Sequence, residues 1–205
     1  MKNFKSLGWL ALSALLVFSS CNKDDDDDEP QPQPKPTESY SVTVGDEDFE
    51  VGKVLDSFMV ASQYRTETSV FSSTIKENIV TIQMFGQQGN NSLEVGVSSP
   101  YRTTEGDNPG VEKKSYTREG DDCIEEGNSQ ICDRFEFVYT KYESNGTTTV
   151  YTFNSKSAYG SMEITRFDTN NKRVTAVFDA MAYTSDESDS IKIEGEAKYV
   201  PFEMY

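Results

Sequence analysis

The chain has 205 residues, 19 basic and 35 acidic side chains, no histidine and a mean hydropathy of −0.63. A formal net charge of −16 repels nucleic acid and anionic lipid headgroups, and the hydropathy argues against a polytopic membrane protein. Without histidine, neither a Ser–His–Asp nor a Cys–His catalytic arrangement can form.

Residues 1–20 form a secretory signal. Lys2 and Lys5 make a positive start, Leu7 to Phe18 an apolar stretch too short to cross a bilayer comfortably, and Ser19 and Ser20 a small-residue peptidase site. The alternative is an uncleaved anchor helix. Cleavage would remove two of the 19 basic residues, leaving 17 against 35 acids, a net of −18. Phe18-Ser19-Ser20-Cys21 resembles a bacterial lipobox, with Phe18 where leucine usually stands. The resemblance implies that Cys21 takes a diacylglycerol thioether and further acylation, because two or three acyl chains hold a protein that one holds only marginally. The alternative is an ordinary signal peptide followed by a chance cysteine.

Residues 21–38 read as a disordered tether. Asp24 to Asp28 and Glu29 repel one another and cannot join a core. Pro30, Pro32, Pro34 and Pro36 alternate with polar residues and favour a polyproline II rod, about 22 Å from Pro30 to Pro36. The acidic run after the cysteine resembles the export signal of Bacteroidota surface lipoproteins, which implies an outer-membrane lipoprotein at the cell surface. The alternative is a solvated spacer facing the periplasm. Calcium on the aspartate run is disfavoured, because a flexible run does not pre-arrange six or more oxygens.

Residues 39–205 read as one all-β domain, long enough to bury a single core. Val80, Ile82 and Met84 alternate, GQQGNN turns the chain, and Leu93, Val95 and Val97 alternate again. Phe135, Phe137 and Tyr139 share a face. Asn145-Gly146 in ESNG is a hairpin signal, and TTTVYTF follows with Tyr151 and Phe153 on one face. Ser161 to Phe167 and Val174 to Met181 flank DTNNKR. After SDESDS, the segment IKIEGEAKY puts Ile191, Ile193, Gly195, Ala197 and Tyr199 on one face and four charges on the other. Short strands joined by hairpins predict an antiparallel β-sandwich, or alternatively a calycin-like β-barrel.

The segments NIVTIQMFG, LEVGVSSPY, AYGSMEITRFDTNNKRVTAVFDAMAY and SIKIEGEAKYVPF, in that order, resemble a family of Bacteroidota lipoproteins of unknown function. Gly160, Ile164, Thr165, Asp168, Asn171, Lys172, Phe178 and Ala180 match its recurrent pattern, while Ala176-Val177 replaces a common Gly-Thr. The resemblance implies a surface or periplasmic lipoprotein with a β-rich domain and no assigned catalytic residues.

Cys123 and Cys132 are the two thiols left once Cys21 is lipidated. An even count in an oxidising compartment predicts a disulfide, worth about 2.5 kcal/mol in the chain-entropy picture, with two free thiols as the alternative. Zinc is disfavoured without histidine. Asp121, Asp122, Glu125, Glu126 and Asp133 on the same loop are a weak calcium candidate, against a merely solvated acidic loop; no other cofactor is suggested. Paired carboxylates are a route to glycoside hydrolysis, yet nothing in the sequence marks a cleft or an acid of raised pKa, so the chain reads as a non-enzyme. Tyr139 and Tyr151 fall on core positions. Tyr142, Tyr159, Tyr101 and Tyr116 lie near loops and are the candidate ligand contacts, since a rim tyrosine both stacks and hydrogen-bonds. The expectation is a non-catalytic binding or accessory module for a glycan or protein ligand. The alternatives are a structural subunit of an envelope complex and a barrel for a small apolar ligand.

Overall fold

A computed structural model describes residues 37–49, 51, 60–69, 73–86, 91–106, 108–153 and 157–205. The expected signal segment, Cys21, the aspartate run and Pro30 to Pro36 lie outside the described residues. The described residues fall in one compact unit, Pro36–Tyr205.

The molecule is all-β, an antiparallel β-sandwich. Its strands in chain order are β1 (Ser39–Val44), β2 (Glu47–Asp48), β3 (Val60–Thr68), β4 (Ile75–Phe85), β5 (Ser92–Arg102), β6 (Ser115–Thr117), β7 (Cys123–Glu126), β8 (Ser129–Cys132), β9 (Arg134–Tyr142), β10 (Thr148–Thr152), β11 (Tyr159–Asp168), β12 (Arg173–Tyr183), β13 (Ser190–Pro201) and β14 (Glu203–Met204). One run of neighbours is β3-β4-β5-β9-β10; the other is β12-β13-β1-β2, with β11 and β6 added on the far side of β12. They meet at the single pair Thr152–Tyr183, and β14 adds a short parallel pairing to β3. The sheet stays open, so the alternative of a closed barrel is not what forms. β7 and β8 make a separate two-stranded sheet.

Alternation places the core. Val80, Ile82 and Met84 from β4, Leu93, Val95 and Val97 from β5, and Phe135 and Phe137 from β9 face Ala176, Phe178 and Ala180 from β12 in one buried cluster. Phe153, just past β10, packs its ring 4.8 Å from that of Phe135 and 5.3 Å from that of Phe137. At the other end Tyr64, Phe167 and Phe202 make a triangle of rings 5.1 to 6.0 Å apart.

One expected position moves. Strict alternation on β13 would put Tyr199 inside with Ile193 and Ala197. Instead the pairing with β12 steps from Ala197–Ala176 to Val200–Val174, so Lys198 and Tyr199 together oppose Thr175. Tyr199 takes a left-handed φ of 54°, its N–H donates to Thr175 Oγ1 at 3.1 Å, and Val200 goes inside in its place. A second bulge, at Thr165 on β11, faces the same Thr175 from the opposite side. Two bulges thus meet at one residue.

These details account for the sequence pattern around β11 and β12. Gly160 has φ +131°, and a Cβ there would overlap the Asp179 carbonyl oxygen. Thr165 is the bulge residue. Asp168 closes the hairpin by accepting from the Asn171 N–H and side-chain amide, both at 2.9 Å. Lys172 takes the left-handed turn position, and its carbonyl accepts from the Phe202 N–H. Phe178 and Ala180 are core. The pattern specifies backbone geometry and packing.

Candidate functional site

A groove of about 750 Å³ opens at the end of the sandwich, where the β1–β2 turn, the residue before β5 and the end of β9 converge. That volume is in the range of small-ligand sites. Each wall follows from local structure. Gly45, at φ +65°, lets β1 reverse in two residues, and its N–H donates to the Lys192 carbonyl at 2.7 Å. The reversal leaves Asp46 and Glu47 at the tip and Asp48 beside Thr43. Beyond β2 the Phe49 N–H donates back to the Val42 carbonyl, which holds the ring against Tyr139, edge to face at 6.0 Å. Gly86 has no side chain to displace that ring; a Cβ there would sit 3.4 Å from Phe49 Cε2.

The second wall is β9. Its inward positions run Phe135, Phe137, Tyr139, Lys141, and the core ends between the last two. Lys141 therefore continues the inward phase past the apolar cluster into the groove, where its ammonium pairs with Glu143 at 2.8 Å. That contact raises the Lys141 pKa. Tyr142 points out and is 50% exposed at the rim. Its backbone N–H is fixed by Asn91 Oδ1 at 3.0 Å.

Tyr139 is the unusual member. Its side chain is only 3% exposed, yet it lines the groove, and its hydroxyl has no hydrogen-bond partner among the described residues. Burial raises its pKa; the Lys141 charge opposes that, and Glu143 and Glu47 add to it. The groups that act on the phenol are thus the groove's own. Four lining carboxylates, those of Asp46, Glu47, Asp48 and Glu143, face one lysine.

Of the tyrosines expected at a ligand surface, the structure places one, Tyr142, in this groove. Tyr159 is 62% exposed at the start of β11, opposite Met181, and Tyr101 is half-buried near the end of β5, opposite Lys76. Tyr116 is a correction. It is fully buried on β6, its hydroxyl donates to the Glu112 carbonyl and accepts from the Glu112 N–H, both at 3.0 Å, and burial pushes its pKa up to about 12. Its Gly/Asn/Pro neighbourhood signals the loop, while the side chain is the one apolar anchor that β6 contributes.

Cys123 and Cys132 are joined by a disulfide. They are direct cross-strand partners on β7 and β8. The adjacent pair is hydrogen-bonded, with the Asp133 N–H on the Asp122 carbonyl, so the cysteines occupy a non-hydrogen-bonded pair, where side chains lie closer. The acids around them do not form the calcium site that their density suggested. Asp133 is buried; its Oδ1 accepts from the N–H groups of Asp121 and Asp122 at 2.8 and 3.0 Å, and its Oδ2 faces the Lys114 ammonium at 2.6 Å. Asp122 pairs with the same lysine. Glu126 pairs with Arg102 at 2.7 Å, and the Glu125 carbonyl accepts from the same guanidinium. Among the described residues no three Asp, Glu or Cys side chains are grouped to hold a metal ion. Arg102 at the end of β5 and Lys114 just before β6 take up three of the five acids, Glu126, Asp122 and Asp133.

The groove was not legible in the sequence because it joins Val44 to Phe49, Gly86, Asn91, Tyr139 to Ser144 and Ile191. The two-residue turn at Gly45-Asp46 was the available local signal.

Comparison with known proteins finds no matching family model, no matching curated protein and no matching solved structure.

Proposed function

We propose that this protein is a non-catalytic glycan-binding module, held at the outer membrane through acylated Cys21 and displayed at the cell surface, with the groove between β1–β2 and β9 as its ligand site. The observation that carries the reading is the groove's composition. A half-exposed aromatic, Tyr142, stands beside a polar wall containing Asn91, Ser144 and carboxylates. A sugar ring needs both a flat apolar surface and several hydrogen-bond partners, and this arrangement supplies them. The tether after Cys21 supports display away from the bilayer. The lipoprotein resemblance of the β11–β12 pattern supports the same address.

Calorimetric titration of the full chain in detergent micelles against an oligosaccharide panel tests the binding role. A ligand is expected whose affinity falls about tenfold in Tyr142→Ala, from loss of the stacking face. A panel without a ligand, or a ligand indifferent to that substitution, would overturn the assignment. For the address, Cys21→Ser should abolish incorporation of a labelled fatty acid, and the wild-type domain should be released by protease added to intact cells. Resistance to protease until the outer membrane is opened would rule out surface display.

A further inference from the structure

We infer that the groove selects a glycan bearing free amino groups over its neutral or N-acetylated counterpart. The inference rests on the glycan-binding reading and specifies the ligand's charge.

Glu143 is already matched by Lys141, whereas Asp46, Glu47 and Asp48 have no cationic partner among the described residues. All three are exposed at the mouth of the groove beside Val44, Phe49 and Ile191, so a ligand ammonium seated there meets three unmatched negative charges at once. The Tyr139 hydroxyl is the independent pointer to a ligand. It belongs to a side chain almost wholly buried, it lines the groove, and its oxygen, open to the groove, has no hydrogen-bond partner among the described residues. A phenol between carboxylates accepts a hydrogen bond from an ammonium or a sugar hydroxyl, and its own proton serves a ring oxygen. Tyr142 adds an aromatic face, which attracts a cation as well as a sugar's apolar side.

The spread of the acids argues against a metal ion as the occupant, since the described residues hold no group of three close enough to share one.

The probe pair is a glucosamine hexamer and an N-acetylglucosamine hexamer, which share a backbone and differ in charge. Binding to the full chain in micelles is measured at about 50 mM and 500 mM salt. The amine form is expected to bind at least tenfold more tightly at low salt, and to lose most of that margin at high salt, where the Debye length falls below about 5 Å. The triple variant Asp46→Asn, Glu47→Gln, Asp48→Asn should erase the margin. A remote triple, Glu136→Gln, Glu163→Gln, Asp179→Asn, makes the same change in net charge and should preserve it. If the remote triple erases the margin equally, general attraction to an acidic protein is responsible and the inference fails. If both hexamers bind alike, the charge selection is wrong while the glycan reading stands; if neither binds, both fall. A lysine hexapeptide that matches the glucosamine hexamer and ignores Tyr142→Ala would show that ammonium alone is read, overturning the sugar component. Tyr139→Phe removes one hydroxyl and should weaken the amine form about three- to tenfold without lowering the melting temperature.

Discussion

Asn78 shows how a polar residue can occupy a core position. It sits on the inward phase of β4 below Val80 and is fully buried. Its Oδ1 accepts from Tyr64 and Thr66 hydroxyls, each at 3.0 Å, and its amide exchanges hydrogen bonds with Asn108 at 2.7 and 2.9 Å. The amide also donates to the Gly110 carbonyl at 3.2 Å, so the network ties the segment after β5 onto β3 and β4. Replacing Asn78 with Leu fills the space but strands those partners, each a group costly to leave unsatisfied. The expected loss is about 3 kcal/mol, read as a lowered urea midpoint with unchanged slope. An unaltered midpoint would mean that the amides find other partners. None of this was legible in the sequence: satisfaction of a buried amide depends on Asn108, 30 positions away. By contrast the alternating apolar residues were legible, because a period of two needs no distant partner to declare itself. Asp168, Asn171 and Lys172 were visible as a pattern, and their turn geometry explains why those residue types suit these positions.

At the scale of elements, the β7–β8 hairpin is where sequence and structure diverge in emphasis. Its disulfide was foreseeable from the cysteine count. Its seating was not, because Lys114 and Arg102 come from elsewhere in the chain. Gly120 completes the seat: at φ +72°, with no room for a Cβ beside the Asp133 carbonyl, it lets the next two N–H groups wrap the buried carboxylate. Two consequences separate the roles of cross-link and ion pair. Reducing the disulfide should cost at most about 2.5 kcal/mol and leave the main sheet folded, since β7 and β8 form their own sheet. Lys114→Met should cost about 3 kcal/mol even with the disulfide intact, because it leaves the Asp133 carboxylate buried without its counter-charge. Denaturant midpoints of wild type with and without reductant, and of the variant oxidised, decide this. Global unfolding on reduction would show that the hairpin is integral to the sandwich. The bulges facing Thr175 teach a similar lesson. Strand positions were legible, but the phase slip at Lys198–Tyr199 arises only in the pairing of β13 with β12.

For the whole molecule, the absence of histidine and the placement of the perturbed groups fix how stability responds to pH. Hydrogen bonds from Asn171 and Arg166 lower Asp168 to about 2, and those from Thr184 and Ser188 lower Asp186 to about 2. Each stabilises the fold in its charged form, so its contribution is present above the ordinary aspartate pKa near 3.8 and is lost as pH falls toward 2. On the alkaline side, burial first, together with the Asp189 contact at Tyr151, pushes Tyr116 and Tyr151 up to about 12. Above pH 10 the unfolded chain releases phenolic protons that the folded chain retains, so stability declines from about pH 10 and is spent near 12. Between these windows the described residues offer no side chain of ordinary pKa near neutrality: they hold no histidine, and Cys123 and Cys132 are tied in the disulfide. Stability should therefore be flat from about pH 6 to 9, with shoulders below 4 and above 10. The profile is measured by urea unfolding across pH 3 to 12 at constant salt. A change beyond about 1 kcal/mol within the flat region would overturn this reading, because neither the two lowered aspartates nor the two raised tyrosines change their protonation there.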